Sequence, residues 1–169
     1  MLPLRFPVVV VMECVPLQNR WASERWQPAA VVPGAAPGPA PERTAPRRIA
    51  DGPEATRWSC EGYDVELHPC EAEGYHLNLV APEPKAFVAW RPAEDGLEPA
   101  MRPHCVTLSY NEAARMLDGG EQVDAVPLPD ALRAWMEPFV AAHYKPEARR
   151  KVRRNDPFRD AEGAGGRRR

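Results

Sequence analysis

The stretch from Arg57 to Arg91 constrains the fold more than any other part of the chain. Tyr63, Val65 and Leu67 alternate with Asp64, Glu66 and His68, and Tyr75, Leu77 and Leu79 alternate with His76, Asn78 and Val80. Apolar residues at every second position suit antiparallel strands that bury one face and wet the other. Arg57–Glu61 and Ala86–Arg91 are similar short runs, rich in aromatic and β-branched residues and bounded by turn formers.

Before this centre, residues 6–15 read as a first strand, with Val8–Val11 as its buried run. Asn19–Val32 reads as a second extended segment. Its Trp21 and Trp26 fit neither alternation nor one helical face, so a bulge or turn is expected inside it. Residues 33–55, rich in Pro and Ala, lack the apolar content to bury a core and read as a long mobile loop. After the centre, His104–Tyr110 reads as another strand, and then the period changes. Ser109 and Glu112 stand in capping-box spacing and Gly119-Gly120 supplies a stop, which predicts a helix over 111–118. Pro129 and Asp130 open a second helix whose stripe is Leu132, Trp135, Met136, Phe139, Val140 and Tyr144, with Pro138 expected to kink it. Strands first and helices last predict an α+β fold. It would be an antiparallel sheet or small open barrel of about six to seven strands, with C-terminal helices packed on it. One domain would span 1–144, and 145–169 would be a basic disordered tail.

The formal net charge of −2 conceals a segregation. Residues 145–169 carry ten basic and four acidic side chains, and residues 1–144 carry twelve and twenty. Such a tail could meet nucleic acid, an anionic membrane surface or an acidic partner, fold back on its own body, or simply solubilise the chain. Arg149, Arg150, Lys151, Arg153 and Arg154 are charge enough for salt-sensitive nucleic-acid binding. The acidic body and the scarcity of aromatics among the arginines argue against that partner. Cys14, Cys60, Cys70 and Cys105 are scattered without a CxxC, and Glu13 and Pro7 spoil the imitation of a secretory signal near the N-terminus. Reduced thiols and a cytoplasmic protein are the expectation, with no transmembrane segment.

Nucleotide-loop, zincin, nucleophile-elbow and zinc-finger signatures are all absent, so no catalytic residue and no cofactor can be assigned from motifs. One constellation remains. If 63–69 and 75–80 form a hairpin, pairing Leu67 with Leu77 and Val65 with Leu79 sets His68 opposite His76 on the outer face, with Cys70 near the turn. Two imidazoles and a thiolate could hold a zinc-like ion, and the plain alternative is polar residues facing solvent. Cys14, Cys60 and Cys105 read as small core residues. Most of the five tryptophans read as core anchors. Arg20, Trp21, Glu24 and Trp26 mix charge and aromatic surface in an irregular segment, which suits a partner interface, against the plainer reading that they cover one end of the sheet.

The stretches FPVVVVMECVPLQNRWASERWQP (6–28), DVELHPCEAEGYHLNLVAPEPKAFVAWR (64–91) and SYNEAARMLDGGEQVDAVPLPDALRAWMEPFVAAHY (109–144) resemble an uncharacterised bacterial family of domains of unknown function. Genes of that family often neighbour those of molybdenum-dependent formate dehydrogenases, and some members carry the label molybdopterin-guanine dinucleotide biosynthesis protein A. The resemblance implies an accessory protein for assembly or maturation of such a dehydrogenase. That protein would bind a dehydrogenase subunit or another maturation factor. Alternatives are an enzyme or carrier in molybdenum-cofactor biosynthesis, and an arginine-tailed nucleic-acid-binding or regulatory protein. The label itself fits poorly. A guanylyl transferase needs a glycine-rich phosphate loop after its first strand, and here that place holds Cys14-Val15-Pro16-Leu17-Gln18-Asn19-Arg20.

Overall fold

Alternation sets the first element. In the computed structural model, which describes residues 4–148, strand β1 (Leu4–Pro16) buries Phe6, Val8, Val10, Met12 and Cys14 on one face. It pairs antiparallel with β2 (Glu24–Pro33) on one side and β4 (Thr56–Leu67) on the other, and β3 (Arg47–Asp51) adds to the far side of β4. A 3-10 turn at Pro69–Glu71 leads into α1 (Ala72–Leu79). A second sheet, in the order β6 (Met101–Thr107), β5 (Lys85–Pro92) and β7 (Gln122–Pro127), is also antiparallel. Helix α2 (Tyr110–Asp118) links β6 to β7, and α3 (Asp130–His143) ends the described fold. The architecture is therefore α+β, with seven antiparallel strands in two open sheets and three helices among the described residues.

One core joins the two sheets. It runs from Phe6, Val10, Met12 and Val65 through Tyr75 of α1 to Val88 and Val126, and is completed by Leu132, Met136, Phe139 and Val140 of α3. The expected stripe of the last helix thus faces the core, and Trp135 and Tyr144 pack at its margin. Tyr63 ties the sheets directly, its hydroxyl donating to the Pro103 carbonyl at 2.8 Å.

The sequence reading departs from the structure in four places. Arg57–Glu61 and Tyr63–His68 are one strand, not two. Gly62 sits between them at φ +86° as a bulge, so that Val9 faces both Glu61 and Gly62. The segment 75–80 is helical, so the helices interleave with the strands instead of following them. AEGYHLNL carries Ala72, Tyr75 and Leu79 at helical spacing as well as an alternation, and tertiary packing selects the helix. Strand β7 was not anticipated, because QVDAVP offers only two buriable valines. Finally, residues 33–55 hold β3, whose five residues are all exposed, so it adds backbone pairing but no core. The turn inside Asn19–Val32 is the β1–β2 hairpin loop, and a register shift between Val11 and Met12 adds a bulge opposite Ala30 and Pro28.

Candidate functional site

The β1–β2 hairpin ends in a tip built to hold its shape. Leu17 N–H donates to the Ser23 carbonyl at 2.8 Å, and the Asn19 side-chain oxygen accepts from the amides of Trp21 (3.0 Å) and Ala22 (2.8 Å). This Asx-type turn pre-orders the loop and projects Trp21 into solvent, where it is 91% exposed. Arg20 and Arg25 are exposed beside it. The other two residues of the candidate interface are engaged within the sheet end, although Glu24 is exposed and Trp26 partly buried. Trp26 stacks on Trp58 with centroids 5.1 Å apart, and its indole N–H donates to Glu24 at 3.0 Å. The Glu24 carboxylate also accepts from the Cys14 thiol at 3.3 Å. Of the four, Arg20, Trp21 and Glu24 are exposed, and Trp26, partly buried, packs on Trp58 at the end of the sheet.

The candidate metal ligands are not assembled as expected, because the hairpin that would have opposed His68 and His76 does not form. His68 lies at the end of β4 with its Nε2 3.2 Å from Glu66, Cys70 is exposed in the 3-10 turn, and His76 stacks on Tyr144 with centroids 4.0 Å apart. Among the described residues, no three His, Cys, Asp or Glu side chains are grouped to hold an ion. The buried thiols are poor nucleophiles: desolvation pushes Cys14 and Cys60 up to about 11, and burial also raises Cys105.

A feature not found from the sequence lies where the two sheets meet. Residues 34–46 form a strap tied to the body at three places. Gly34 N–H donates to the Pro7 carbonyl and Gly38 N–H to the Arg5 carbonyl, each at 2.8 Å. The Arg43 guanidinium then lies 4.2 Å over the Tyr63 ring, beside the carbonyls of Gly62 (3.4 Å) and His104 (3.5 Å). Arg43 passes so close to Gly62 that a Cβ there would stand 2.5 Å from the Arg43 Cα. Since β3 pairs only with Thr56–Ser59, no described strand pairs with the remaining edge of β4, Cys60–Leu67. Below Arg43 that edge opens on a cavity of about 240 Å³, lined on the β4 side by Asp64, Glu66 and His68 and on the other by His104, Thr107 and Glu112. One of three arginines in a proline-rich stretch, Arg43 gave no signal of this role. The basic cluster Arg149, Arg150, Lys151, Arg153 and Arg154 lies outside the described residues.

Taken together, the two open sheets and the interleaved helices define an α+β protein that carries an exposed tryptophan on an ordered hairpin tip. The chain belongs to a family described as "Protein of unknown function (DUF3305)", whose model matches residues 7–153. No curated protein and no solved structure matches the chain.

Proposed function

We propose that this protein is an accessory factor that acts by binding another protein, with Trp21 as the anchor. The observation that carries this reading is the exposure of the largest apolar side chain on a loop whose backbone is already ordered. An indole left in water stabilises nothing in the monomer. Buried in a partner's pocket, it supplies large contact area at little entropic cost, as tryptophan does in binding hot spots. Arg20 and Arg25 add a cationic rim that favours an acidic margin on the partner.

The resemblance to a family encoded near molybdenum-dependent formate dehydrogenases supplies the partner: a subunit of that enzyme or one of its maturation factors, met in the cytoplasm. Co-expression of the full chain with a tagged dehydrogenase catalytic subunit tests both parts. Recovery of a stoichiometric complex is expected, and Trp21→Ala should weaken it at least about 30-fold, equivalent to about 2 kcal/mol. Absence of a complex counts against the dehydrogenase. A complex indifferent to Trp21→Ala counts against the hairpin.

A further inference from the structure

We propose that the outer face of the first sheet is the contact surface for a second copy of this chain, which stacks on it with its strands running in the reverse direction. Trp21 takes no part in that contact, which is therefore separate from the partner reading above. The face is apolar where an antiparallel sheet ordinarily turns polar. In β1 burial alternates: Phe6, Val8, Val10 and Met12 are buried in the core, while Pro7, Val9, Val11 and Val15 reach the opposite face and are only half-buried. Ala30 and Val32 of β2 stand beside Val11 and Val9 on that face, and Val32 is 47% exposed. Strands that are apolar on both sides are ordinarily covered on both sides. The described helices lie elsewhere, α1 and α3 on the shared core and α2 against the second sheet.

The layout of the face selects a copy of itself. Register places Arg57 of β4 level with Glu13 and Asp64 level with Pro7, three β1 residues to either side of Val10. A two-fold axis at the level of Val10, lying between the sheets and across the strands, carries Arg57 over Asp64 of the second copy. The same axis carries Val11 over the copy's Val9, and Ala30 over its Val32. Charge follows that symmetry. At the hairpin end Arg25 and Arg57 outnumber Glu13, at the other end Asp64 and Glu66 outnumber Arg5, and midway Arg47 lies 4.0 Å from Glu61. Reversal sets the cationic end on the anionic one, whereas a uniformly acidic or basic partner would suit only one end. Arg57 is already paired with Glu13 at 2.7 Å and Asp64 with Arg5 at 3.7 Å, so stacking joins existing pairs and strands no lone charge. Shape agrees as well. The strap leaves an apolar cavity of about 190 Å³ beside Pro7, Val9, Pro41 and Gly62, and the reversed stack lowers Val11 of the second copy onto it. Strands β2, β1 and β4, about 4.8 Å apart and roughly ten residues long, present a flat projection of about 500 Å². That lies at the small end of specific interfaces, so a dimer that dissociates at micromolar concentration is expected.

Sedimentation equilibrium of the full-length protein from about 1 to about 300 µM tests this. The unaltered chain is expected to pass from monomer to dimer within that range. Val11→Lys and Val32→Lys each put an ammonium into the apolar centre and should raise the dissociation constant at least about tenfold. Both positions already reach solvent, and far-UV circular dichroism with a thermal melt shows that each variant keeps the fold. Val32→Lys, at the more exposed of the two, carries the test alone where Val11→Lys fails to fold. Asp64→Arg sets a guanidinium over Arg57 of the second copy and should weaken the dimer about threefold or more, an effect that added salt reduces. Trp21→Ala should leave the dissociation constant unchanged. A chain that stays monomeric throughout overturns the proposal, as does a dimer indifferent to the lysine variants. A dimer indifferent to Asp64→Arg stacks in another direction, and one lost in Trp21→Ala is held by the hairpin tip. Either result also overturns it.

Discussion

Asn78 makes three hydrogen bonds from a position only 2% exposed. Its Nδ2 donates to the carbonyls of Lys85 (2.7 Å) and Leu108 (2.9 Å), and its Oδ1 accepts from the Lys85 amide at 2.9 Å. One side chain thus locks the end of α1 to the starts of β5 and α2. The alternation in 75–80 predicted the opposite, an outward Asn78 and an inward Leu77, whereas Leu77 is 41% exposed. A single residue cannot reveal this, because a polar side chain reads as surface until its partners are in place. Asn78→Ala leaves one buried amide and two carbonyls unpaired and should cost about 3 kcal/mol. Asn78→Asp keeps the shape but replaces both donated protons with an acceptor, so a similar loss is expected at neutral pH. Urea unfolding with an unchanged m-value is the measurement, and a midpoint within error of the unaltered chain would refute the lock.

Elements were legible where one period stood alone. Strands β1 and β5 and helix α2 lie where their patterns placed them, because alternation or capping had no competitor, whereas β6 starts three residues before the expected His104 and ends at Thr107. Ser109 does cap α2, accepting from the Glu112 amide at 3.1 Å. The reciprocal arm of the capping box is relayed: the Glu112 carboxylate takes the Thr107 hydroxyl at 2.5 Å, and Thr107 in turn accepts from the Ser109 amide at 3.1 Å. Where two periods coexisted, as in 72–79, the sequence alone could not choose. On the outer face of the first sheet, Glu13 links three strands, accepting from Gln27 in β2 at 3.0 Å and from Arg57 in β4 at 2.7 Å. The hydrogen bond from Gln27, and then that from Arg57, hold its carboxyl below the ordinary value of 4.5. The unfolded chain therefore takes up this proton more readily than the native one. The stabilisation is complete above about pH 4.5 and is lost as the pH falls through the lower folded value. Thermal unfolding from pH 7 to pH 3 should show a steeper fall for the unaltered protein than for Glu13→Gln. Parallel curves would remove Glu13 from the acid response.

At the scale of the molecule, two open sheets must behave as one body if the hairpin tip and the seam are to hold fixed places. The candidate interface was half legible, since Arg20 and Trp21 project as expected, whereas the seam depends on residues far apart in sequence and could not be read. What unites the sheets is the last helix. Its stripe enters a core shared by Val10 and Val65 of the first sheet and Val88 and Val126 of the second. At its margin Trp135 meets the Phe6 ring edge-on at 5.3 Å, and Phe139 meets Tyr75 at 6.0 Å. Phe139 is 7% exposed, and Phe139→Ala should cost about 3–5 kcal/mol. Trp135 is only partly buried, so Trp135→Ala should cost less, and thermal melts of the two rank them. Met136 is the more telling site, because it is fully buried within the shared core. Met136→Ala leaves a cavity expected to cost about 2–5 kcal/mol. In one cooperative unit, slowly exchanging amides open only when the whole structure opens, so that loss must appear equally in both sheets. Exchange of the Val10 and Val88 amides in the full-length protein compares them, one from each sheet. The same loss of protection at both is expected. A loss at Val10 alone or Val88 alone would mean that the sheets unfold separately and that α3 braces only one of them.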